Sequence, residues 1–207
     1  VSEPYAELAQ LGSATVFEAS GREGLIDLDL HQVIPGSRAA GPARTVRCAQ
    51  DDILMVHAAM DRLEPGDVLV LTMPEPKPVA LLGELLATQA KGRGAAAVLI
   101  DAAVRDTEEL RDLGVPVWAR WIRVQGADRA EVGEIDLPVE IGGAAISPGD
   151  AVVLDADGAV VVAKDRLEEV AQASRERAED EDAKRARFEA GELSYDMYDL
   201  RRRFEGE

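Results

Sequence analysis

The residues best equipped for chemistry fall in two short stretches. One is Gly83-Glu84-Leu85-Leu86; the other is Asp101 followed by Arg105-Asp106-Thr107-Glu108-Glu109. Carboxylates are hard oxygen ligands and suit a divalent cation such as Mg²⁺ or Mn²⁺. The planar guanidinium of Arg105 matches a carboxylate through two parallel hydrogen bonds. Glu84 and Asp106 each stand where a helix is expected to begin, and a helix start presents free amides that favour an anion. Together these residues describe a pocket for a small carboxylate substrate over a metal. The same pattern fits a plainer account, in which the acids cap helices and Arg105 pairs with a surface carboxylate.

Other chemistries have less to work with. His57 shares an apolar helix face with Ile53, Val56 and Met60, as a core or rim histidine would. His31 falls in a loop with no Ser or Cys nucleophile elbow near it. A Schiff-base lysine needs a buried, desolvated setting, and the four lysines, Lys77, Lys91, Lys164 and Lys184, have exposed or polar surroundings. Gly92-Arg93-Gly94-Ala95-Ala96-Ala97 matches a dinucleotide G-x-G-x-x-A in letters only, because it follows a helix and opens a strand. Cys48 is the single cysteine, which excludes an intrachain disulfide framework and fits a reducing, cytoplasmic compartment. With only two histidines, a Cys/His zinc site within one chain is excluded as well.

Charge narrows the partners. The 40 acidic and 23 basic residues give a formal net charge of −17, which opposes both nucleic-acid phosphates and an anionic membrane surface. No apolar run is long enough to span a bilayer. The sequence opens on Val1 with neither an initiator Met nor a basic apolar leader, as expected of a piece of a longer chain.

The elements that must position these residues read as one α/β domain over 1–163 and a helical extension over 164–207. Residues 1–24 suggest a helix, a turn and a second helix with Ser13 as its N-cap and Gly21 as its end. Alternation in Ala43-Arg44-Thr45-Val46-Arg47-Cys48 marks a strand within 36–50, and 52–63 reads as an amphipathic helix. Two Pro-Gly-Asp turns, at Pro65-Gly66-Asp67 and Pro148-Gly149-Asp150, each lead into a buried strand. The second of these strands reverses at Ala156-Asp157-Gly158 into Ala159-Val160-Val161-Val162. Between them lie a Pro-rich loop (71–78), a helix from Gly83, a wholly apolar strand over 95–101, a helix over 106–113 and a strand over 115–118. Asp165 to Glu189 has high helix propensity but a narrow apolar stripe, so the expectation is an arm that packs on a neighbouring subunit, ended by Gly191.

Several stretches resemble the class II pyruvate aldolases, specifically the 4-hydroxy-4-methyl-2-oxoglutarate / 4-carboxy-4-hydroxy-2-oxoadipate aldolase family. That family shares its fold with the regulator of ribonuclease E activity A. The family signature is an acidic residue, twenty residues, Arg-Asp, two residues and a second acidic residue. Here it is met by Glu84, Arg105-Asp106 and Glu109. The resemblance extends through Thr15-Val16-Phe17-Glu18-Ala19, Gly36-Ser37-Arg38-Ala39-Ala40-Gly41 and Pro116-Val117-Trp118 to the tail at Gly191-Glu192-Leu193 and Asp196-Met197-Tyr198. The departures are Ala102-Ala103 where glycine is common, Phe17 where His often precedes Glu18, and Met73-Pro74-Glu75-Pro76-Lys77-Pro78 in place of a Gly/Asp-rich loop.

The resemblance implies a single β/β/α swivelling-type domain with a C-terminal helical arm, assembled as a homotrimer or hexamer. It implies a metal-dependent carbon–carbon lyase that cleaves a 4-hydroxy-2-oxo acid bearing extra carboxylates and releases pyruvate, with oxaloacetate decarboxylation as a side activity. Asp106 would hold Mg²⁺ or Mn²⁺, with waters completing the shell. Arg105 would bind the pyruvyl carboxylate or carbonyl oxygen, and Gly83 with the amides of Leu85 and Leu86 would bind the same carboxylate. Glu84 would act near water at the metal, and Glu181 would approach a neighbouring subunit's site. An acidic run at Glu179-Asp180-Glu181-Asp182 also fits a solvated helix face. The other function on this fold is a non-enzymatic, protein-binding regulator.

Overall fold

Strands without alternation form the centre of the sheet, because both of their faces must be covered. The computed structural model describes residues 3–206. The chain opens with α1 (Glu3–Leu11), α2 (Ser13–Ala19), the two-residue strand β1 (His31–Gln32) and the long β2 (Ala39–Arg47). It continues through α3 (Leu54–Ala59), β3 (Val68–Thr72), β4 (Ala80–Leu82), α4 (Glu84–Gly92), β5 (Ala97–Val104) and α5 (Thr107–Leu113). Then come β6 (Val117–Ile122), β7 (Glu134–Ile135), the β8–β9 hairpin (Val139–Ile141, Ala144–Ile146), β10 (Ala151–Leu154) and β11 (Ala159–Val162). The extension holds α6 (Leu167–Glu189), α7 (Ser194–Met197) and α8 (Leu200–Glu205).

The main sheet runs β1-β6-β5-β3-β2-β10-β11. Its centre, β6-β5-β3-β2, is parallel, and β10 and β11 add antiparallel strands beyond β2. One detail of register places the candidate site. β5 pairs with β3 over Ala97–Ile100, shifts register against β6 between Ile100 and Ala103, and pairs in parallel with β4 at Ala103 and Val104. Ala80 lies opposite Ala103 and Leu82 opposite Val104. Two parallel neighbours therefore end together, so Gly83 and Arg105 leave the sheet side by side.

Each layer has its own apolar filling. Leu69, Leu71, Val98 and Ile100 pack under α3, α4 and α5 with Val56, Leu86 and Leu110. Val70, Leu99 and Trp118 fill the opposite face beneath the β8–β9 hairpin, with Ile141 and Ile146. Leu8, Val16, Val153 and Val170 join α1, α2 and the root of α6 to β10 and β11.

The structure redraws several elements. The Pro-rich stretch is followed by β4, a short strand in the residues left unassigned between that loop and the helix from Gly83. The wholly apolar strand runs to Val104, beyond Asp101. Ser13 is the first residue of α2 and does not cap it. Asp155, 142 residues away, accepts both the Ser13 amide (2.7 Å) and its hydroxyl (2.6 Å). A carboxylate brought by the fold thus replaces the local hydroxyl cap. The first turns of α6 pack on α1 and α2 of the same chain, burying Val170, Ala171 and Ser174, and Arg175 binds Glu7. Beyond Ser174 no described residue is buried.

Cys48 is 1% exposed. Burial, reinforced by the Asp52 carboxylate, pushes its thiol up to about 12. Since the thiolate is the reactive species, the folded protein should leave a disulfide reagent unconsumed at mildly alkaline pH. The guanidinium-unfolded chain should consume one equivalent. Equal labelling rates for the two states would contradict this burial.

Candidate functional site

The end of β4 and the end of β5 open onto a cavity of about 310 Å³. Its wall includes Gly83, Leu85, Leu86, Arg105 and Asp106, so five of the residues singled out from sequence converge on one space. β4 ends at Leu82, and the next residue, Gly83, with an extended backbone (φ −139°), leads directly into α4.

Asp106 has φ 59°, a left-handed conformation that Asp tolerates better than most residues. That turn brings its carboxylate back over the start of α4, where Oδ2 accepts the Glu84 amide at 3.0 Å. Among the described residues, Asp106 Oδ1 and the amides of Leu85 and Leu86 take part in no hydrogen bond. The opening of α4 thus offers two unpaired N–H donors to an anion beside one carboxylate oxygen able to face a cation.

Arg105 is held between two glycines. A Cβ at Gly83 would come within 3.2 Å of Arg105 Nε and 2.5 Å of Asp106 Oδ2, and a Cβ at Gly126 would come within 2.7 Å of Arg105 Nη1. Any larger residue at 83 would displace the Asp106 carboxylate. Arg105 and Asp106 approach each other at 3.7 Å (Nε to Oδ2), with side chains 43% and 39% exposed. That separation is too long for a hydrogen bond. Screening at such exposure leaves the pair little stabilising weight. The guanidinium therefore keeps its donors for something else.

Not every residue of the predicted constellation joins. Glu84 gives its amide to Asp106, but its carboxylate accepts the Thr88 hydroxyl at 2.8 Å, along α4. Asp101 is buried and pairs with Arg120 on β6 at 3.0 Å. Glu108 and Glu109 are exposed in the first turn of α5. Glu181 lies on the exposed part of α6, 2.9 Å from Arg177, and does not line the cavity within one chain. Among the described residues, no three His, Cys, Asp or Glu side chains are grouped to hold a metal. Asp106 is the one acidic side chain in the cavity wall. A single carboxylate with waters and substrate oxygens is a mode that Mg²⁺ accepts, because it dehydrates reluctantly. The donor set fits such an ion and does not fit a closed protein cage.

Three polar wall residues were not assigned to the site from sequence: His57, Gln89 and Arg129. His57 lies in the last turn of α3 and is exposed, so it is a rim histidine rather than a core one. Gln89 follows from the helical face of Leu85 and Leu86, one turn on. Arg129 comes from a loop with no local pattern to mark it. That loop is tied to α3 by Asp52, whose Oδ2 accepts the amides of Ala130 (2.6 Å) and Glu131 (3.1 Å) while Oδ1 accepts that of Leu54 (2.7 Å). Burial pushes the Asp52 carboxyl up, but these three amides outweigh it and hold the group below the usual aspartate range.

The chain resembles known proteins over most of its length. A family model described as Aldolase/RraA matches residues 13–161. A protein of Halalkalibacterium halodurans named "Putative 4-hydroxy-4-methyl-2-oxoglutarate aldolase" is 37% identical over 147 residues, 71% of this chain and 70% of that protein. The crystal structure of Streptomyces coelicolor RraAS2, described as an unusual member of the RNase ES inhibitor RraA family, superimposes with a TM-score of 0.78. It is 30% identical and covers 89% of this chain and 96% of that one. The RNA-processing inhibitor RraA from Thermus thermophilis gives a TM-score of 0.62 at 31% identity, over 68% of this chain and 84% of that one.

Proposed function

Since the chain belongs to the Aldolase/RraA family, we propose that it is a divalent-cation-dependent pyruvate aldolase acting on a 4-hydroxy-2-oxo di- or tricarboxylic acid. The observation that carries this reading is the convergence of the Arg105 fork, Asp106 and the unpaired amides of Leu85 and Leu86 on one cavity. Asp106 would hold the Mg²⁺ or Mn²⁺, which supplies Lewis-acid polarisation of the 2-oxo group when bound.

The chain's own groups do the rest. The Leu85 and Leu86 amides receive the pyruvyl carboxylate. Arg105 bridges that carboxylate and the 2-oxo oxygen, so that its donors face the charge that develops as the C3–C4 bond breaks. The 4-hydroxyl gives its proton to Glu84 as the relay base and becomes the carbonyl of the departing fragment. The bond's electron pair passes into the enolate, and protonation at C3 gives pyruvate. Oxaloacetate reaches the same enolate by losing CO₂, so decarboxylation should accompany aldol cleavage. For Glu84 to serve as a proton relay, its carboxylate must leave Thr88 and turn into the cavity.

The test is pyruvate release coupled to lactate dehydrogenase, with oxaloacetate and 4-carboxy-4-hydroxy-2-oxoadipate as substrates. Activity should require Mg²⁺ or Mn²⁺ and disappear with a chelator. Borohydride trapping of pyruvate on a lysine would defeat the reading. The names of the RraA neighbours keep a protein-binding regulator as the competing function, and a chain that releases no pyruvate with either metal would favour it.

The proposal includes a homotrimer or hexamer in which Glu181 serves an adjacent subunit's cavity. Leu85, Ile122 and Val124 are 77%, 37% and 91% exposed in the single chain. Apolar side chains grouped around a polar cavity are suited to an intersubunit surface. Light scattering should give a multiple of three chains, and a monomer at micromolar concentration would refute this assembly.

A further inference from the structure

We propose that Asp52 is a positioning residue for the Arg105 pocket. Its carboxylate latches the segment 125–131 onto the start of α3 and thereby fixes the wall that confines the Arg105 guanidinium. The activity readout of this inference rests on the aldolase reading.

Apolar packing does little to hold the segment. Of its residues only Ala127 packs against the core, and the others are exposed. Yet it forms one side of the cavity through Gly126, Ala127 and Arg129. Gly126 lies so close to Arg105 that a single added carbon would reach Nη1. A wall that touches the guanidinium this tightly sets where the fork points, provided the wall itself stays in place.

Polar contacts keep it in place, and they centre on Asp52. The side chain is 2% exposed and accepts the amides of Leu54, Ala130 and Glu131. Backbone bonds flank the latch: Ile53 N–H to Asp128 O (2.8 Å), Asp128 N–H to Asp51 O (2.9 Å) and Ala80 N–H to Gln125 O (2.7 Å). The segment is thus tied to the start of α3 at one end and to β4 at the other. A carboxylate is needed for this role because both of its oxygens face donors. An asparagine would aim its own N–H₂ either at Leu54 or at the Ala130 and Glu131 amides, and one side of the latch would open.

The experiment is a double-mutant cycle of Asp52→Asn and Arg105→Lys. It reads pyruvate-release kcat, the affinity for oxalate in the presence of Mg²⁺, and amide exchange over residues 126–131. Asp52→Ser runs in parallel. Its hydroxyl can still accept the Leu54 amide and support the helix start, but it is too short to reach the loop. It stands in if the Asn protein does not fold. The expected result is exchange at 126–131 faster by about tenfold. Alongside it kcat should fall by about tenfold beside intact Arg105 and by less than about twofold in the Arg105→Lys background, because the loosened wall matters only while the fork is present.

Equal losses in both backgrounds would overturn the inference and make Asp52 a stability residue only. Unchanged exchange at 126–131 would overturn it as well. A wild type that binds oxalate but releases no pyruvate would sink the aldolase reading alone, and the cycle would then be read from oxalate affinity. A wild type that does neither would sink both.

Discussion

Replacing Arg105 by lysine is expected to lower pyruvate release by roughly 30- to 1000-fold while leaving the thermal midpoint within a few degrees. The size follows from what is lost. Lysine keeps the charge but is a point donor on a flexible stem, and it cannot present two parallel N–H groups to a carboxylate and an oxo oxygen at once. A charge-assisted contact to a developing oxyanion contributes on the order of 2–4 kcal/mol to the transition state, and ~1.4 kcal/mol is a factor of ten in rate. The opposing account has a number too. If Arg105 served only its neighbour Asp106, then a half-exposed pair at 3.7 Å would be worth about 0–1 kcal/mol and lysine would replace it well. The slot between Gly83 and Gly126 argues against that account, since two positions without side chains leave room for a flat guanidinium that an ion pair would not require. Wild-type turnover in Arg105→Lys would defeat the assignment. A parallel fall in thermal midpoint would move the effect from catalysis to folding.

How the site could be read in advance depends on how local its parts are. Gly83 through Leu86 and Arg105-Asp106 each carry a short-range signal: a glycine before a helix start, an arginine at the exit of an apolar strand, and an acid at a turn. Their meeting required β4, and β4 was not legible. Val79-Ala80-Leu81-Leu82 is too short to show a period and runs directly into the helix after it, so nothing local separates strand from helix. Glu84 shows the limit of spacing arguments. It opens α4 where a helix start was expected, yet its carboxylate turns to Thr88, and sequence does not encode that side-chain orientation locally. The elements that hold the site from a distance were invisible for a different reason. Asp52 meets Ala130 across 78 residues and Asp155 meets Ser13 across 142. Each looks in sequence like any turn aspartate, and only the closed fold supplies the amides that make it a clamp.

Asp106→Asn should be the most damaging conservative change, and pairing it with Asp106→Ala separates the two tasks of this residue. Asparagine tolerates the left-handed backbone at φ 59° and can still accept the Glu84 amide through its carbonyl oxygen, so the start of α4 should survive. What it removes is the negative charge. Two unit charges about 4 Å apart interact by about 4 kcal/mol at an effective dielectric of 20, and a dication in closer contact gains more. Cation affinity should therefore fall by roughly 1000-fold or more, at ~1.4 kcal/mol per tenfold. Turnover at ordinary Mg²⁺ should fall with it and recover in part as Mg²⁺ is raised. Alanine should lose the same activity and also about 1–2 kcal/mol of stability, because it abandons the helix-start contact and is disfavoured in the left-handed region. Titration of Mn²⁺ by its paramagnetic signal, alongside thermal melts, reads both quantities. If Asp106 only capped α4, asparagine would bind Mn²⁺ and turn over like wild type, and alanine would be impaired only to the extent that it unfolds. Loss of Mn²⁺ binding in the asparagine protein, at an unchanged melting temperature, is the result expected if Asp106 holds the cation.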